Sequence, residues 1–152
     1  MDGIVIDLPV ETDTAALGAR LAPLLKVGDV VCLSGPLGAG KTTLARGLIR
    51  AFAGDADAPS PTFALVEVYE GDGLTLWHFD LYRLEKSEEV WELGLEEALA
   101  EGASVIEWPE RIAAFLPVSA LVLRLEPQGD SRRAMISPGG DWKARLEKAG
   151  IA

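Results

Sequence analysis

The sequence predicts a three-layer α/β fold on a mixed parallel and antiparallel sheet. Three observations predict it. Strand-like runs alternate with helix-periodic segments along the chain. The run from Val30 to Ser34 is almost entirely apolar, as suits a strand covered on both faces at a sheet centre. Ala64 to Glu70 and Leu74 to Asp80 flank Gly71-Asp72-Gly73, a hairpin signature that adds an antiparallel pair.

Each element follows from its pattern. Residues 4–8 (Ile-Val-Ile-Asp-Leu) read as a short strand. Thr12 or Asp13 can cap a helix whose apolar positions Leu17, Leu21 and Leu24 are spaced by four and three. Gly28-Asp29 marks a turn into the central strand. A second helix runs from about Lys41, with Leu44, Leu48, Ile49 and Phe52 on one side, and Gly54 to Pro61 reads as loop. Beyond the hairpin, Ser87 is expected to cap a helix reaching about Ala100, with Val90, Leu93 and Leu99 apolar and its glutamates forming a solvated face. Ala103 to Ile106 is a buried strand ending at Glu107, and Glu110 to Leu116 gives one or two helical turns. Ala120–Leu125 and Arg133–Ser137 are strands that can pair across Gly129-Asp130, and Asp141 can cap a last helix.

Composition bounds the function. With 152 residues the chain is read as a single domain, 1–152; a chain of this size buries roughly 70% of its unfolded surface without needing staples. Hydrophobic residues make up 49% and charged residues 25%, which is globular. The net charge of −10 disfavours a large direct nucleic-acid interface. Cys32 is the only cysteine, so an internal disulfide and a multi-cysteine metal site are excluded. No basic leader or long apolar run is visible near Met1, so a cytoplasmic protein without a membrane segment is expected.

The chemistry enters at Gly35-Pro36-Leu37-Gly38-Ala39-Gly40-Lys41-Thr42, which matches the Walker A pattern G-x-x-x-x-G-K-[ST]. Glycines let the backbone close around an anion with its N–H groups inward. The helix after Gly40 adds positive dipole character. Lys41 can reach the outer phosphates and Thr42 can offer its hydroxyl to magnesium. The bland alternative is a glycine-rich turn before a helix with an exposed lysine. The buried strand before the loop and the amphipathic helix after it favour an ATP–magnesium site in a P-loop NTPase-like fold.

A P-loop needs a carboxylate near the metal, usually at the end of a neighbouring strand. Glu107 and Asp80 both end apolar runs, and position alone does not divide the roles between them. Ser60-Pro61-Thr62-Phe63 could carry a hydroxyl that senses the γ-phosphate, or could be a turn leading into a strand. His78, the lone histidine, suits a hydrogen-bonding role better than metal ligation. Trp108 stands out among four tryptophans because it adjoins Glu107.

The blocks Gly35–Thr43, Ser60–Phe63, His78-Phe79-Asp80-Leu81-Tyr82-Arg83-Leu84 and Ile106-Glu107-Trp108-Pro109-Glu110, in this order, resemble the TsaE family over about residues 8–137. That family comprises bacterial P-loop ATPases of tRNA threonylcarbamoyladenosine biosynthesis. The resemblance implies that Lys41 holds phosphate, Thr42 binds magnesium and Thr43 lies beside the α-phosphate. It implies that Glu107 is the Walker B-type acid of the magnesium site and that Asp80 supports hydrolysis by orienting water. Gly35, Leu37, Gly38, Ala39 and Gly40 would cradle the phosphates. Ser60 and Thr62 would form a switch-like loop, Trp108 would neighbour the metal site, and the segment around Val10 and Thr12 would approach the adenine end. Arg132 and Arg133 fall in a strand where the family carries basic residues. The implied partners are a TsaB–TsaD complex, with TsaD modifying a tRNA adenosine beside the anticodon and tRNA meeting this chain only through the partners. The competing reading is a small-molecule kinase, although no arginine-bearing lid is visible after the P-loop helix. A guanine-reading Asn-Lys-x-Asp element does not occur, which disfavours GTP.

Overall fold

The computed structural model describes residues 3–54 and 65–151. Its strands are β1 (Ile4–Leu8), β2 (Val30–Ser34), β3 (Val66–Glu70), β4 (Thr75–Asp80), β5 (Ala103–Glu107), β6 (Leu121–Gln128) and β7 (Ser131–Pro138). Its helices are α1 (Glu11–Leu21), α2 (Lys41–Ala53), α3 (Leu95–Glu101) and α4 (Trp142–Lys148). The described residues form one sheet in the order β1-β7-β6-β2-β5-β4-β3. The inner strands β6, β2, β5 and β4 run parallel, while β3 at one edge and β7 with β1 at the other run antiparallel to their neighbours. This is the predicted mixed sheet, and the β6–β7 hairpin turns at Gly129-Asp130 as its sequence suggests.

The central strand explains the three layers. Val31 and Leu33 of β2 face a core shared with Leu17 and Leu21 of α1, Leu44 and Leu48 of α2, and Trp142 and Leu146 of α4. Val30 and Cys32 face the opposite core, with Phe79, Val90, Leu95 and Ile112. A strand covered on both faces has no polar side to offer, hence its apolar run. Burial pushes the Cys32 thiol up to about 12, with Glu110 adding to the effect, so it is an inert core residue.

Helices α1 and α2 approach more closely than ordinary side chains allow. A Cβ at Gly47 would collide with the Ala15 carbonyl oxygen, and one at Gly18 with that of Leu44. These two glycines therefore set where α2, with Lys41 and Thr42 at its start, sits against the sheet. Gly47→Ala should lower stability by about 1–3 kcal/mol through overpacking. Urea unfolding checks it; an unchanged midpoint would show that the helix contact can absorb a methyl group.

Local signals were less reliable than periodicity. Helix α1 is capped at Val10, not at Thr12 or Asp13. Val10 has no side-chain acceptor, so only half of a capping box forms: Asp13, in the first turn, accepts the Val10 N–H at 3.1 Å. The helix expected from Ser87 to Ala100 is broken into a 3-10 turn, Ser87–Trp91, and α3. Gly94, at φ 99°, separates them, and a Cβ there would strike the ring of Trp77. Glu110 to Leu116 lies within a 3-10 segment, Pro109–Phe115, kinked at Ile112. Asp141 precedes α4, but its carboxylate accepts from Arg145 rather than from a backbone N–H. Arg145 also makes a two-pronged bond to Asp29 at 2.6 and 3.0 Å. It thereby pins α4 to the turn that precedes β2, at the opposite end of that strand from the glycine-rich loop. Among the described residues no helix is long and apolar enough to cross a membrane.

Candidate active site

Parallel strands bring their carboxyl ends to one edge of the sheet, where α/β folds place ligands. At this edge β2 runs into the glycine-rich loop, β5 ends at Glu107 and β4 ends at Asp80. Asp80 and Glu107 are register partners on adjacent strands, and Glu107 pairs on its other side with Leu33 of β2. Two acids that are 27 positions apart in sequence thus share one edge with the loop because the sheet is parallel.

The loop needs its glycines. Gly35, Gly38 and Gly40 all have positive φ, at 133°, 78° and 102°. A Cβ at Gly35 would also collide with the Leu125 carbonyl oxygen of the adjacent strand. Gly40 ends the loop and caps α2 in the left-handed region, a position that costs other residues about 1–2 kcal/mol.

Lys41 is 5% exposed. Its Nζ donates to the Gly35 and Pro36 carbonyls at 2.6 and 2.8 Å and lies 4.0 Å from the ring centroid of Trp108. Burial draws its pKa below the ordinary lysine value, and the negative charges of Glu107, Glu110 and Asp80 oppose that fall. The ammonium is therefore a largely desolvated group held across the loop, with acids nearby that offset part of the cost of its burial.

Glu107 is 2% exposed and has both oxygens engaged. Thr42 donates its hydroxyl to Oε1 at 3.0 Å, and His78 Nε2 lies 2.7 Å from Oε2. A carboxylate can only accept, so Nε2 carries the proton; His78 Nδ1 has no hydrogen-bond partner among the described residues. His78 is fully buried. It orients the carboxylate so that the other oxygen faces Thr42.

Asp80 is less enclosed. It accepts the Tyr82 N–H at 3.2 Å. Burial raises its pKa above the ordinary 3.8, and the charge of Glu107 raises it further, against smaller opposing effects from the Tyr82 N–H, His78 and Lys41. Trp108 occupies the left-handed region at φ 63°, ψ 51°. That conformation costs a non-glycine residue about 1–3 kcal/mol. It swings the ring over Lys41 and against Tyr82, whose ring centroid is 4.9 Å away. These groups line a cleft of about 510 Å³ that runs across the loop to Leu8, Val10, Glu11, Thr14, Asp130 and Arg132, within the usual range for small-molecule sites.

A family model described as "Threonylcarbamoyl adenosine biosynthesis protein TsaE" matches residues 8–135. The chain belongs to the TsaE family. It is 42% identical over 124 residues to the tRNA threonylcarbamoyladenosine biosynthesis protein TsaE of Rickettsia conorii, covering 81% of this chain and 71% of that one. The protein of the same name from Mycobacterium leprae is 45% identical over 135 residues, with 82% of each chain covered. The crystal structure of Bacillus subtilis YdiB superposes with a TM-score of 0.80 at 27% identity, covering 98% of this chain and 95% of that one.

Within this TsaE family member, the cleft is lined by the predicted residues Val10, Leu37, Gly38, Gly40, Lys41, Thr42, Thr43, Asp80, Glu107 and Trp108. Gly35 holds Lys41 through its carbonyl, and Ala39 is buried beneath the loop. Thr12 is exposed on the first turn of α1 and is not among the lining residues, whereas Thr14 is. Ser60 and Thr62 lie outside the described residues. Sequence reasoning missed Thr14, Tyr82, Glu11 and Asp130, and left Arg132 without a role. Thr14 did carry a signal: with Leu17 and Leu21 it continues the buried stripe of α1, a hydroxyl where an apolar residue is expected.

Proposed function

We propose that this chain is a single-domain, cytoplasmic ATPase that binds ATP–magnesium and hydrolyses it in the service of tRNA threonylcarbamoyladenosine formation, stimulated by a TsaB–TsaD complex. The single observation that carries hydrolysis is the contact of Thr42 with Glu107, with Asp80 in register beside it on β4. Family membership carries the biological role. The relatives named above are biosynthetic proteins of this modification, which disfavours the small-molecule kinase.

The donor set fits magnesium. A hydroxyl and a carboxylate oxygen are hard ligands, and among the described residues no group of three or more His, Cys, Asp or Glu side chains could hold a metal alone. Magnesium is usually held by one or two protein oxygens, with phosphates and water completing the shell. Bound there through Thr42 and Glu107, it would neutralise charge developing on the phosphate oxygens. Exchanging the Gly35 and Pro36 carbonyls for phosphate oxygens gives Lys41 charged acceptors, and such bonds are roughly twice as strong. The loop amides and the start of α2 face the same anion. Ionised Asp80 orients a water and accepts one of its protons as the water oxygen attacks the γ-phosphorus and the bond to the β-phosphate oxygen breaks, leaving ADP and inorganic phosphate, with the proton then passing to solvent.

This role requires Asp80 as a carboxylate. Because its pKa is raised, the acid loss of turnover should begin above the ordinary aspartate value of 3.8. The pH profile of kcat/KM, which reports groups of the free chain, reads it, and an acid limb at or below 3.8 would remove Asp80 from this role. The function itself is tested with radiolabelled ATP, with and without TsaB–TsaD. Free phosphate, released faster with the partners, is the expected product; phosphate transferred to a metabolite would establish the kinase.

A further inference from the structure

Among the described residues, two that are not glycine have a positive φ: Leu65 at 62° and Trp108 at 63°. Trp108 follows Glu107 at the end of β5, and its conformation puts its ring over Lys41. Leu65 is not among the residues that line the cleft, so its conformation has no such explanation. A bulky residue stays in the left-handed region only where its surroundings impose it, and such residues cluster at functional sites.

Leu65 meets the site through Asp80. The ladder of β3 and β4 pairs Val66 with Phe79. One step further out, the Asp80 N–H donates to the Leu65 carbonyl at 3.0 Å. On the β5 side, the Leu81 N–H donates to the Glu107 carbonyl at 3.1 Å, and the Trp108 N–H donates to the Leu33 carbonyl at 3.3 Å. Together these bonds tie the edge that carries both acids from β3 across to β2, just before Gly35. The Asp80 carboxylate itself accepts the Tyr82 N–H, a bond within the same turn. Its place in the site therefore follows from where its main chain is held. Rotation about φ or ψ of Leu65 would carry its carbonyl away from the Asp80 N–H. The Leu65 side chain, partly buried against the core that contains Phe79 and Leu81, keeps that rotation from happening.

We infer that Leu65 is a positioning residue for Asp80: its left-handed backbone, anchored by its side chain, aims the carbonyl that fixes the main chain beneath the carboxylate. The inference rests on the reading of Asp80 as the acid that orients water. Because Leu65 stands outside the cleft lining, its effect belongs in kcat and not in the KM for ATP.

Three substitutions separate backbone conformation from packing. Leu65→Met keeps the apolar volume and an unbranched Cβ. Leu65→Asn gives up the packing but tolerates the left-handed region. Leu65→Val keeps an apolar side chain, but its branched Cβ opposes a positive φ. Phosphate release by the full chain with TsaB–TsaD gives kcat and KM, and thermal melting gives stability. Leu65→Val should lower kcat about tenfold or more with KM held within about twofold. Leu65→Met and Leu65→Asn should stay within about threefold of the native rate, although the asparagine variant melts lowest. A merely structural role gives the reverse order, with rate following stability and asparagine slowest. That order, or a native kcat in Leu65→Val, overturns the inference. Should Leu65→Val fail to fold, the other two variants decide: an asparagine rate close to that of methionine supports positioning, and a slow asparagine variant overturns it. Asp80→Asn is measured alongside. Native turnover there removes the role of Asp80 and that of Leu65 with it; slow turnover there beside a native Leu65→Val removes the role of Leu65 alone.

Discussion

Asp80→Asn is expected to hold ATP–magnesium as tightly as the native chain while releasing phosphate about a hundred- to ten-thousand-fold more slowly. The substitution keeps an oxygen for the Tyr82 N–H and removes only the charge and its proton-accepting capacity. It should not weaken the fold. The pKa of Asp80 is raised by burial and by Glu107. A raised carboxyl contributes stability below the ordinary value of 3.8, and that contribution is lost as pH rises through the folded value. At neutral pH the ionised group therefore opposes folding, and the asparagine variant should melt no lower than the native chain. Turnover that persists, or an affinity that falls along with turnover, would remove Asp80 from its assigned role.

Glu107→Gln should have a second large effect, of a different kind. The amide oxygen can still accept from Thr42, and the amide N–H₂ can donate to His78 Nε2 once the imidazole proton moves to Nδ1, so both contacts can re-form with a changed histidine tautomer. What disappears is the negative charge beside the metal position. Turnover should fall by about 10²–10³, and the magnesium concentration giving half-maximal rate should rise. Thermal stability should change little, because replacing a buried charge by a neutral isostere removes its desolvation cost. A variant with native magnesium dependence would show that Glu107 serves the fold and not the metal.

How much of this was legible in the residues follows from the range of each signal. The loop is local: eight consecutive positions specify it, and its glycines are required by positive φ and by the Leu125 carbonyl. The acids at strand ends were legible as candidates because an apolar run ending in a carboxylate is visible. Their convergence was not, since it depends on β4 and β5 pairing in the register that sets Asp80 beside Glu107. The His78–Glu107 contact depends on the same pairing; burial of a lone histidine could be guessed, its partner could not. Gly18 and Gly47 carry no signal of their own in the sequence; the close approach of α1 to α2 explains them. The break at Gly94 was overridden in the same way by tertiary contact, here with Trp77. Arg132 reaches the site through the β6–β7 hairpin, from 94 positions beyond Gly38 in the chain. No local pattern announces that. Thr14 was the exception, a polar residue on an apolar stripe whose meaning lay in the sequence.

The central claim is that Gly35 to Thr42 cradle ATP–magnesium and that Lys41 holds the outer phosphates. Calorimetric titration of ATP in the presence of magnesium, on the native chain and on Lys41→Ala, tests it most directly. One magnesium-dependent site per native chain is expected, with a loss of affinity of about tenfold or more in the variant. Equal affinity in the two proteins, or a native chain that takes up no ATP, would contradict it.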